Sequence, residues 1–294
     1  MVRNMEDTTK SPNAKSPTTS TQPAAAKSGF AQPRVLVLRS PGANCDEETQ
    51  YAFNLAGGNA ERIHVNRVLE NPAVLDEFQI LCIPGGFSYG DDVSAGKILG
   101  SQLEYRLGDA LQAFKQRDTL ALGICNGFQV LLKSGLLTTE GESSPPGTLT
   151  WNTSGRYEDR WTRLRVAGET CVFLQGMQEM EFPIAHAEGR FLPRDRAKLD
   201  AMEAAGQLPL RYIARHGKPG DEVNYPDNPN GSVAEIAGVC DVTGRVFGLM
   251  PHPERFIDAT QHPQWTRKFD SRDLDNFPPG DGLAIFENAV RYFA

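Results

Sequence analysis

Short apolar runs alternate with amphipathic stretches along the first half of the chain. The runs are Val35–Leu38, Ile80–Ile83 and Leu120–Ile124. Continuous runs of this length are typical of strands that are buried on both faces of a parallel sheet. Between the first two runs, Asn44 and Glu47 have the spacing of a capping box, which predicts a helix that continues to Gly57. The alternation predicts an α/β fold: a doubly wound, mostly parallel open sheet flanked by helices.

The second half of the chain continues this pattern less regularly. Further strands are expected near 164–166, 182–186, 233–239 and 245–250. Residues 139–160 are rich in Gly, Ser, Thr and Pro, so we expect a surface loop there. The chain closes with apolar residues that share one face of an amphipathic helix. They are Leu283, Phe286, Val290 and Phe293.

Composition divides the chain into a tail and one domain. Residues 1–33 contain 13 Ser, Thr or Pro, which predicts a disordered low-complexity tail; residues 34–294 are expected to form one compact domain. The 294 residues include 30 basic and 37 acidic side chains, a net charge of −7. This charge disfavours nucleic acid and anionic membranes as partners, and no apolar run has the roughly 18 residues of a membrane span. We expect a cytoplasmic protein.

The cysteines give no sign of a structural framework. They are Cys45, Cys82, Cys125, Cys171 and Cys240. Because no two of them form a Cys-x-x-Cys pair, we expect no disulfides and no metal site. A small buried hydrophobe is the default interpretation of each one.

Cys125 is the exception, because it is the centre of Gly-Ile-Cys-Asn-Gly at 123–127, directly after a predicted strand. This is the pattern of a nucleophile elbow, in which glycines make room for a tight strand-to-helix turn. The N-terminus of the following helix favours the thiolate, which is the nucleophilic species. The alternative is a core cysteine between two packing glycines.

His252 is the candidate base, in Met-Pro-His-Pro-Glu-Arg at 250–255. The two flanking prolines favour an extended backbone, in which His252 and Glu254 project to the same side. Glu254 can then orient the imidazole while its other nitrogen faces the thiol. A surface turn with a solvated ion pair is the alternative for this motif alone.

Acyl transfer also needs hydrogen-bond donors for the developing oxyanion. The backbone N–H of Asn126 is one natural donor, and Gly85 or Gly86, at the end of the preceding buried strand, could supply the second. Gln129 lies one helical turn beyond Cys125, over the same face, where it could bind a polar substrate. An ordinary glycine turn and an exposed amide are the alternatives.

Together, the motifs at 123–129 and 250–255 resemble those of class I, triad-type glutamine amidotransferases. Further motifs are similar to those of a narrower family, the glutaminases of phosphoribosylformylglycinamidine synthase in purine biosynthesis. They are Pro-Gly-Gly-Phe-Ser-Tyr-Gly-Asp at 84–91, Ala95-Gly96, Pro-Ile-Ala-His-Ala-Glu-Gly-Arg-Phe at 183–191 and Tyr-Pro-Asp-Asn-Pro-Asn-Gly-Ser at 225–232. The resemblance covers about 34–294 and implies a type 1 glutamine amidotransferase domain with a flavodoxin-like fold.

The resemblance also implies roles for single residues. Cys125 would attack the glutamine side-chain amide, His252 would protonate the departing ammonia and then activate water, and Glu254 would orient His252. Gly86 and Asn126 would form the oxyanion hole. The positions implied in substrate binding are Gln129, Gly85, His186, Gly189, Arg190 and Phe191.

The chain departs from the family pattern at several places. Trp151–Ser154 stands where the family usually has Arg-Asn, which puts any role of that arginine in doubt. The segments 211–224 and 257–282 lengthen the chain. The latter resembles the end of the large fused form of the enzyme, and its His262 and Trp265 are possible contacts without an assigned role.

Cofactors and partners follow from what the sequence contains. No Gly-x-x-x-x-Gly-Lys-Ser/Thr loop is present, so we expect no cofactor in this chain, and ATP and Mg²⁺ on a partner. The resemblance implies L-glutamine as substrate and a complex with an ATP-dependent synthase subunit of the PurL type, which converts formylglycinamide ribonucleotide to formylglycinamidine ribonucleotide. A small bridging subunit of the PurS type is expected in the same complex.

Two other classes of protein stay open at this point. One is a different cysteine hydrolase or deglycase of the flavodoxin-like type, which would not need His252 and Glu254 two residues apart. The other is a non-catalytic binding module on the same scaffold, which would have no need for Cys125, His252 and Glu254 together.

Overall fold

The computed structural model describes residues 32–216, 222–269 and 277–294, so the predicted tail lies almost entirely outside the described residues. The strands are β1 (Arg34–Arg39), β2 (Asn59–His64), β3 (Ile80–Ile83), β4 (Leu120–Ile124), β5 (Gly147–Thr150), β6 (Glu158–Val166), β7 (Glu179–His186), β8 (Arg190–Pro193), β9 (Leu210–Tyr212), β10 (Ile236–Cys240) and β11 (Val246–Leu249). The α-helices are α1 (Asp46–Leu55), α2 (Val65–Glu70), α3 (Lys97–Gln116), α4 (Asn126–Lys133), α5 (Arg196–Ala204), α6 (Trp265–Lys268) and α7 (Leu283–Arg291).

Nine of these strands form one sheet in the order β2-β1-β3-β4-β11-β10-β9-β6-β7. The first five are parallel, and the remaining four join as antiparallel neighbours. The predicted α/β class is confirmed, and the parallel character belongs to the half of the sheet that contains β1 to β4 and β11. Strands β5 and β8 form a separate antiparallel pair.

The parallel half explains where a site can form. From β1 the chain crosses to β2 on one side and to β3 and β4 on the other. Right-handed crossovers therefore place the connecting helices on opposite faces, and a crevice opens at the carboxyl ends of the strands where the order reverses. Helices α1 and α7 contact each other, as do α3 and α4. None of the described helices is long and apolar enough to cross a bilayer.

The core of this half follows from the apolar runs. Every residue of β3 and β4 is buried, as the continuous runs at 80–83 and 120–124 require of strands covered on both faces. The closing helix α7 presents Leu283 and Phe286 to the interior, and the Phe286 ring packs edge-on against Phe53 of α1 at 4.9 Å between centroids.

Two local predictions were wrong. Helix α1 begins at Asp46 with Cys45 at its N-cap and no side-chain cap, because the Asn44 side chain accepts the Cys45 thiol instead. The stretch 139–160 is not all loop: β5 forms within it, with Leu149 buried, and pairs with β8. Its polar neighbours face outward, so composition alone conceals the strand.

Other boundaries shift in the second half. Strands β6 and β7 begin well before the predicted 164 and 182, since each exposes polar residues on one side. The predicted strand at 233 begins as a tight turn, and β10 starts only at Ile236. The polar edge strand β2 carries no apolar run and was not predicted. Part of 211–224 and part of 257–282 lie outside the described residues.

Candidate active site

Cys125 occupies a strained turn between β4 and α4. Its φ of 51° and ψ of −106° are unusual for a residue with a side chain. The turn needs the following glycine, because a Cβ at Gly127 would lie 1.8 Å from the Ile83 carbonyl oxygen. The Cys125 N–H donates to the Leu249 carbonyl at 2.8 Å, which ties the turn to β11. The thiol is therefore held at the start of an eight-residue helix, as an elbow requires.

His252 and Glu254 form a buried pair after β11. Imidazole Nδ1 and Glu254 Oε1 are 2.5 Å apart, and both side chains are nearly inaccessible to solvent. The His252 N–H donates to the Pro183 carbonyl at 2.8 Å, which fixes the loop to β7. Neither His252 Nε2 nor Glu254 Oε2 has a hydrogen-bond partner among the described residues.

The charges around His252 set its protonation. Burial opposes the imidazolium, but the charges on Glu254 and Cys125 outweigh burial and hold the pKa of His252 well above its ordinary value. The Cys125 thiol also contacts the Ala185 carbonyl, with 3.7 Å between Sγ and O. The structure thus brings together the three residues that the two sequence motifs predicted as a triad.

The glycines after β3 border the triad. A Cβ at Gly85 would lie 2.7 Å from His252 Cε1, so the imidazole packs directly on this backbone. Gly86 has a φ of 135°, and a Cβ there would lie 2.6 Å from the Asn44 N. Only glycine allows this approach, and it brings the Gly86 backbone to the same pocket as Cys125.

The side chains of Asn126 and Gln129 are part of one network. Asn126 Nδ2 donates to Gln129 Oε1 and to Asp91 Oδ1, each at 2.9 Å. Gln129 Nε2 donates to the Glu188 carbonyl at 2.6 Å. Burial raises the pKa of Asp91 above its usual range. Gln129 lines the pocket beside Cys125, but both ends of its amide already have partners.

The pocket itself is small, about 40 Å³. His186 lines it, and the Nδ1 of its ring lies 3.2 Å from Asn152 Oδ1. The pKa of His186 is lowered to about 3, chiefly by burial and then by the charge on His252, so the ring is neutral. Gly189 leaves the space that this ring fills, since a Cβ there would lie 2.2 Å from His186 Cε1.

Arg190 and Phe191 do not line this pocket. Arg190 Nε donates to the Gly231 carbonyl at 3.1 Å, and the fully buried Phe191 ring stacks on Phe128 at 6.4 Å. Their implied role in substrate binding has no support in this geometry. Arg190 connects β8 to the segment before β10, and Phe191 packs β8 against α4.

His262 and Trp265 also lie away from the pocket. His262 is buried, with Nε2 2.9 Å from Glu181 Oε2 and its ring 4.4 Å from that of Trp161. The Trp265 ring packs edge-on against Phe277. The two residues belong to separate groups of rings: His262 packs with Trp161 and Phe256, and Trp265 packs with Phe277.

Sequence reasoning missed several residues at the site. They are Cys45, Asp91, Asn152, Tyr157 and Glu188. Asn152 lies within the segment that departs from the family pattern, and Tyr157 stacks on Phe87 with 6.4 Å between centroids. Asp91 lies in the motif at 84–91 and Glu188 in the motif at 183–191. Neither motif indicates that the Asp91 carboxylate would accept from Asn126 or the Glu188 carbonyl from Gln129.

Among the described residues, one cluster of three side chains has ligand atoms close enough together to be considered for a metal ion. Cys45, His252 and Glu254 offer ligand atoms within 4.8 Å of one another. Arg255 Nη2 lies 3.1 Å from Cys45 Sγ, however, so a positive charge already occupies this side of the group and disfavours a cation.

Comparison with known proteins defines the class. Residues 32–293 match the family described as "CobB/CobQ-like glutamine amidotransferase domain", to which this chain belongs. The PurQ subunit of phosphoribosylformylglycinamidine synthase from Dehalococcoides mccartyi is 44% identical, over 88% of this chain and 97% of its own. The PurQ subunit from Methanococcus maripaludis strain S2 is 39% identical, over 89% of this chain and 97% of its own. The PurLQS structure from Thermotoga maritima aligns with a TM-score of 0.66 and 28% identity, over 90% of this chain and 100% of that one.

Proposed function

We propose that this chain is the glutaminase subunit of phosphoribosylformylglycinamidine synthase in purine biosynthesis. It hydrolyses L-glutamine to glutamate and ammonia. The observation that carries the proposal is the elbow thiol of Cys125 beside the buried His252–Glu254 pair. The PurQ relatives align over nearly the whole domain, and their names support the assignment to purine biosynthesis.

The first half of the reaction forms a thioester. The Cys125 thiolate attacks the carboxamide carbon, and the carbonyl oxygen becomes an oxyanion. Backbone N–H groups of Gly86 and Asn126 stabilise it, the latter at the unsatisfied start of α4. When the C–N bond breaks, His252 gives its proton to the leaving nitrogen, and ammonia departs from a glutamyl thioester.

The second half releases glutamate. Neutral His252 takes a proton from water, the hydroxide attacks the thioester carbon, and the C–S bond breaks to restore the thiolate. Glu254 holds the imidazole by Nδ1 throughout, so that Nε2 faces the reacting atoms. The absence of a partner for Nε2 among the described residues fits a nitrogen that bonds only to substrate and water.

Glutamine recognition falls to the pocket walls. Gln129 and His186 line the pocket with Cys125, Gly85 packs against the His252 ring, and Gly189 leaves space for the His186 ring. The pocket of about 40 Å³ has Cys125 and Gln129 on its wall.

The ammonia is consumed on another polypeptide. We infer a complex with a synthase subunit of the PurL type, which would hold ATP and Mg²⁺, and with a bridging subunit of the PurS type. The name of the Thermotoga maritima structure, PurLQS, supports this association. Enclosed transfer prevents ammonia from becoming protonated and escaping. Such a pathway enzyme would work in the cytoplasm.

Ammonia release from glutamine tests the proposal. The wild-type chain should release ammonia slowly alone and much faster with the synthase subunits and their substrates, whereas Cys125→Ala should release none in either state. Full activity in Cys125→Ala would refute the mechanism. Equal turnover with and without the partners would refute the coupling. The other flavodoxin-like hydrolases left open by the sequence predict normal activity in Glu254→Gln; here we expect it to be lost.

A further inference from the structure

A second thiol lies against the His252–Glu254 pair. Cys45 follows β1, immediately before α1, and is 1% exposed. Its N–H donates to the Gly85 carbonyl at 3.3 Å, and a Cβ built on Gly85 would lie 3.2 Å from Cys45 Sγ and 2.7 Å from His252 Cε1. Cys45 Sγ, His252 and Glu254 place polar atoms within 4.8 Å of one another. The mechanism makes no use of this thiol.

Cys45 bonds to a charged residue of the His252 loop. Arg255 Nη2 donates to Cys45 Sγ at 3.1 Å, while Arg255 Nε donates to Glu48 Oε1 at 2.9 Å. The Cys45 thiol in turn donates to Asn44 Oδ1 at 3.3 Å. Burial raises the pKa of Cys45 to about 11, so at neutral pH it is an uncharged thiol that both donates and accepts. The guanidinium is thus held between a thiol and a carboxylate from the start of α1.

The placement of this guanidinium matters because of the residue next to it. Glu254 is 1% exposed, and its Oε2 has no hydrogen-bond partner among the described residues. A guanidinium is the side chain best suited to bind a carboxylate through two oxygens. If Arg255 turned toward Glu254, it would compete with His252 for the carboxylate that orients the imidazole.

We propose that Cys45 is a positioning residue: with Glu48 it holds Arg255 away from Glu254, so that Glu254 serves His252 alone. The inference rests on the proposed function for its catalytic consequence. Competition of Arg255 with His252 for the Glu254 carboxylate would affect any reaction that uses the triad.

The charged and titratable groups around His252 define the expected pH effect. They are Glu254 and Arg255 from its own loop, Cys125 from the elbow, Cys45 before α1, Tyr157 before β6 and His186 at the end of β7. Glu254 is the group that holds the pKa of His252 up. Removing the Cys45 acceptor frees Arg255 to neutralise Glu254, and the pKa of His252 should then fall.

Two substitutions separate this role from simple packing. Cys45→Val keeps the volume but removes the acceptor, and Cys45→Ser keeps donor and acceptor. We expect Cys45→Val to lower kcat on the order of tenfold with KM within about twofold, and to move the limb of the pH profile that reports His252 to lower pH. Cys45→Ser should stay close to wild type. Cys240→Val, at a buried thiol on β10, is the control for loss of a core thiol.

A double-mutant cycle with Arg255→Met completes the test. Once the guanidinium is gone, Cys45→Val should have no further effect on kcat or on the pH profile, so the two changes should be non-additive. Additive losses, or a Cys45→Val profile that matches Cys240→Val, would overturn the proposal. If Cys45→Val does not fold, the cycle is run with Cys45→Ala, which also removes the acceptor, and the same two outcomes apply.

A second measurement separates this inference from the glutaminase function. The rate at which iodoacetamide alkylates Cys125, followed by peptide mass spectrometry against pH, reports the thiol–imidazole pair without glutamine. A shift in Cys45→Val relative to Cys240→Val supports the positioning role even if the wild type releases no ammonia. If the wild type releases ammonia and the alkylation profile of Cys45→Val matches that of Cys240→Val, the positioning role is refuted and the glutaminase function stands.

Discussion

Asn152 fixes the tautomer of His186. Asn152 Nδ2 donates to the carbonyls of Arg156 and His186, so Oδ1 is the atom that faces the His186 ring, 3.2 Å from Nδ1. An amide oxygen only accepts, and the neutral ring must therefore carry its proton on Nδ1. His186 Nε2 is then an acceptor, buried and without a partner among the described residues.

This relationship predicts how the site distinguishes an amide from an ester. If His186 Nε2 accepts an N–H of the glutamine carboxamide, His186→Phe should lower kcat/KM for glutamine by about 10- to 100-fold, the cost of an unpaired buried donor. The γ-methyl ester of glutamate has no such N–H, and its hydrolysis should change by no more than about twofold. His186→Gln, which keeps an acceptor, is the matched variant. An equal loss on both substrates would assign His186 a purely structural role.

His186 also predicts an acid dependence of stability. Its pKa is lowered to about 3 in the folded protein, against roughly 6.5 in an unfolded chain. Between these values the unfolded state binds the extra proton, so His186 makes stability fall as pH decreases from about 6.5 toward 3. His186→Phe should flatten this slope by up to about 1.4 kcal/mol per pH unit in urea titrations. Unchanged slopes would contradict the buried, neutral state of the ring.

Two glycine-to-alanine substitutions, one in the elbow and one in α3, should have opposite effects on stability. Gly127→Ala places a Cβ 1.8 Å from the Ile83 carbonyl oxygen, in backbone that has no room to move. We expect it to lose activity and on the order of 2–4 kcal/mol of stability, as overpacked or strained sites do. Gly108→Ala, in α3 with no atom near its Cβ, should gain about 0.5–1 kcal/mol. Thermal unfolding and ammonia release measure both; a well-folded, active Gly127→Ala would show that the turn is not constrained.

His262 predicts a separation of stability from activity. It pairs with Glu181 and packs on Trp161 and Phe256, away from the pocket. His262→Ala should lower the free energy of unfolding by about 1–3 kcal/mol, because it leaves buried polar and aromatic groups without contacts. Measured about 20 °C below its Tm, where the fold is intact, the variant should have the same kcat and KM as wild type. A fall in kcat without a change in Tm would instead connect this segment to catalysis.

Except for the polar edge strand β2, the sequence predicts the parallel half of the fold, and its motifs single out Cys125, His252 and Glu254. The runs at 80–83 and 120–124 are buried on both faces, so hydrophobicity alone identifies them. The turn at Cys125 requires glycines within two residues of it in the sequence, so a short motif identifies it. The antiparallel half is less visible, because β6 and β7 each expose polar residues on one side. Outside this sheet, the short strand β5 is concealed among loop residues. Pairing of distant strands leaves no local pattern.

The supporting residues of the site escape sequence reasoning for a related reason. Cys45 reads as one more core thiol, and nothing local indicates that its sulfur would bond a guanidinium 210 positions later. Asn152 fixes His186 across 34 residues. Motifs report residues whose spacing is fixed by one turn or one helix, whereas these contacts exist only after the sheet has formed.

The strand order carries a consequence for synthesis of the protein. Strand β11, which begins at Val246, lies directly beside β4, which ends at Ile124, and it brings His252 to the thiol of Cys125. A chain that emerges from the ribosome N-terminus first therefore holds its nucleophile long before its base. Until the last parallel strand is in place, the thiol has no general base, so glutamine hydrolysis begins only when the domain is nearly complete. Activity is in this way a late product of folding, and partly made chains cannot release ammonia.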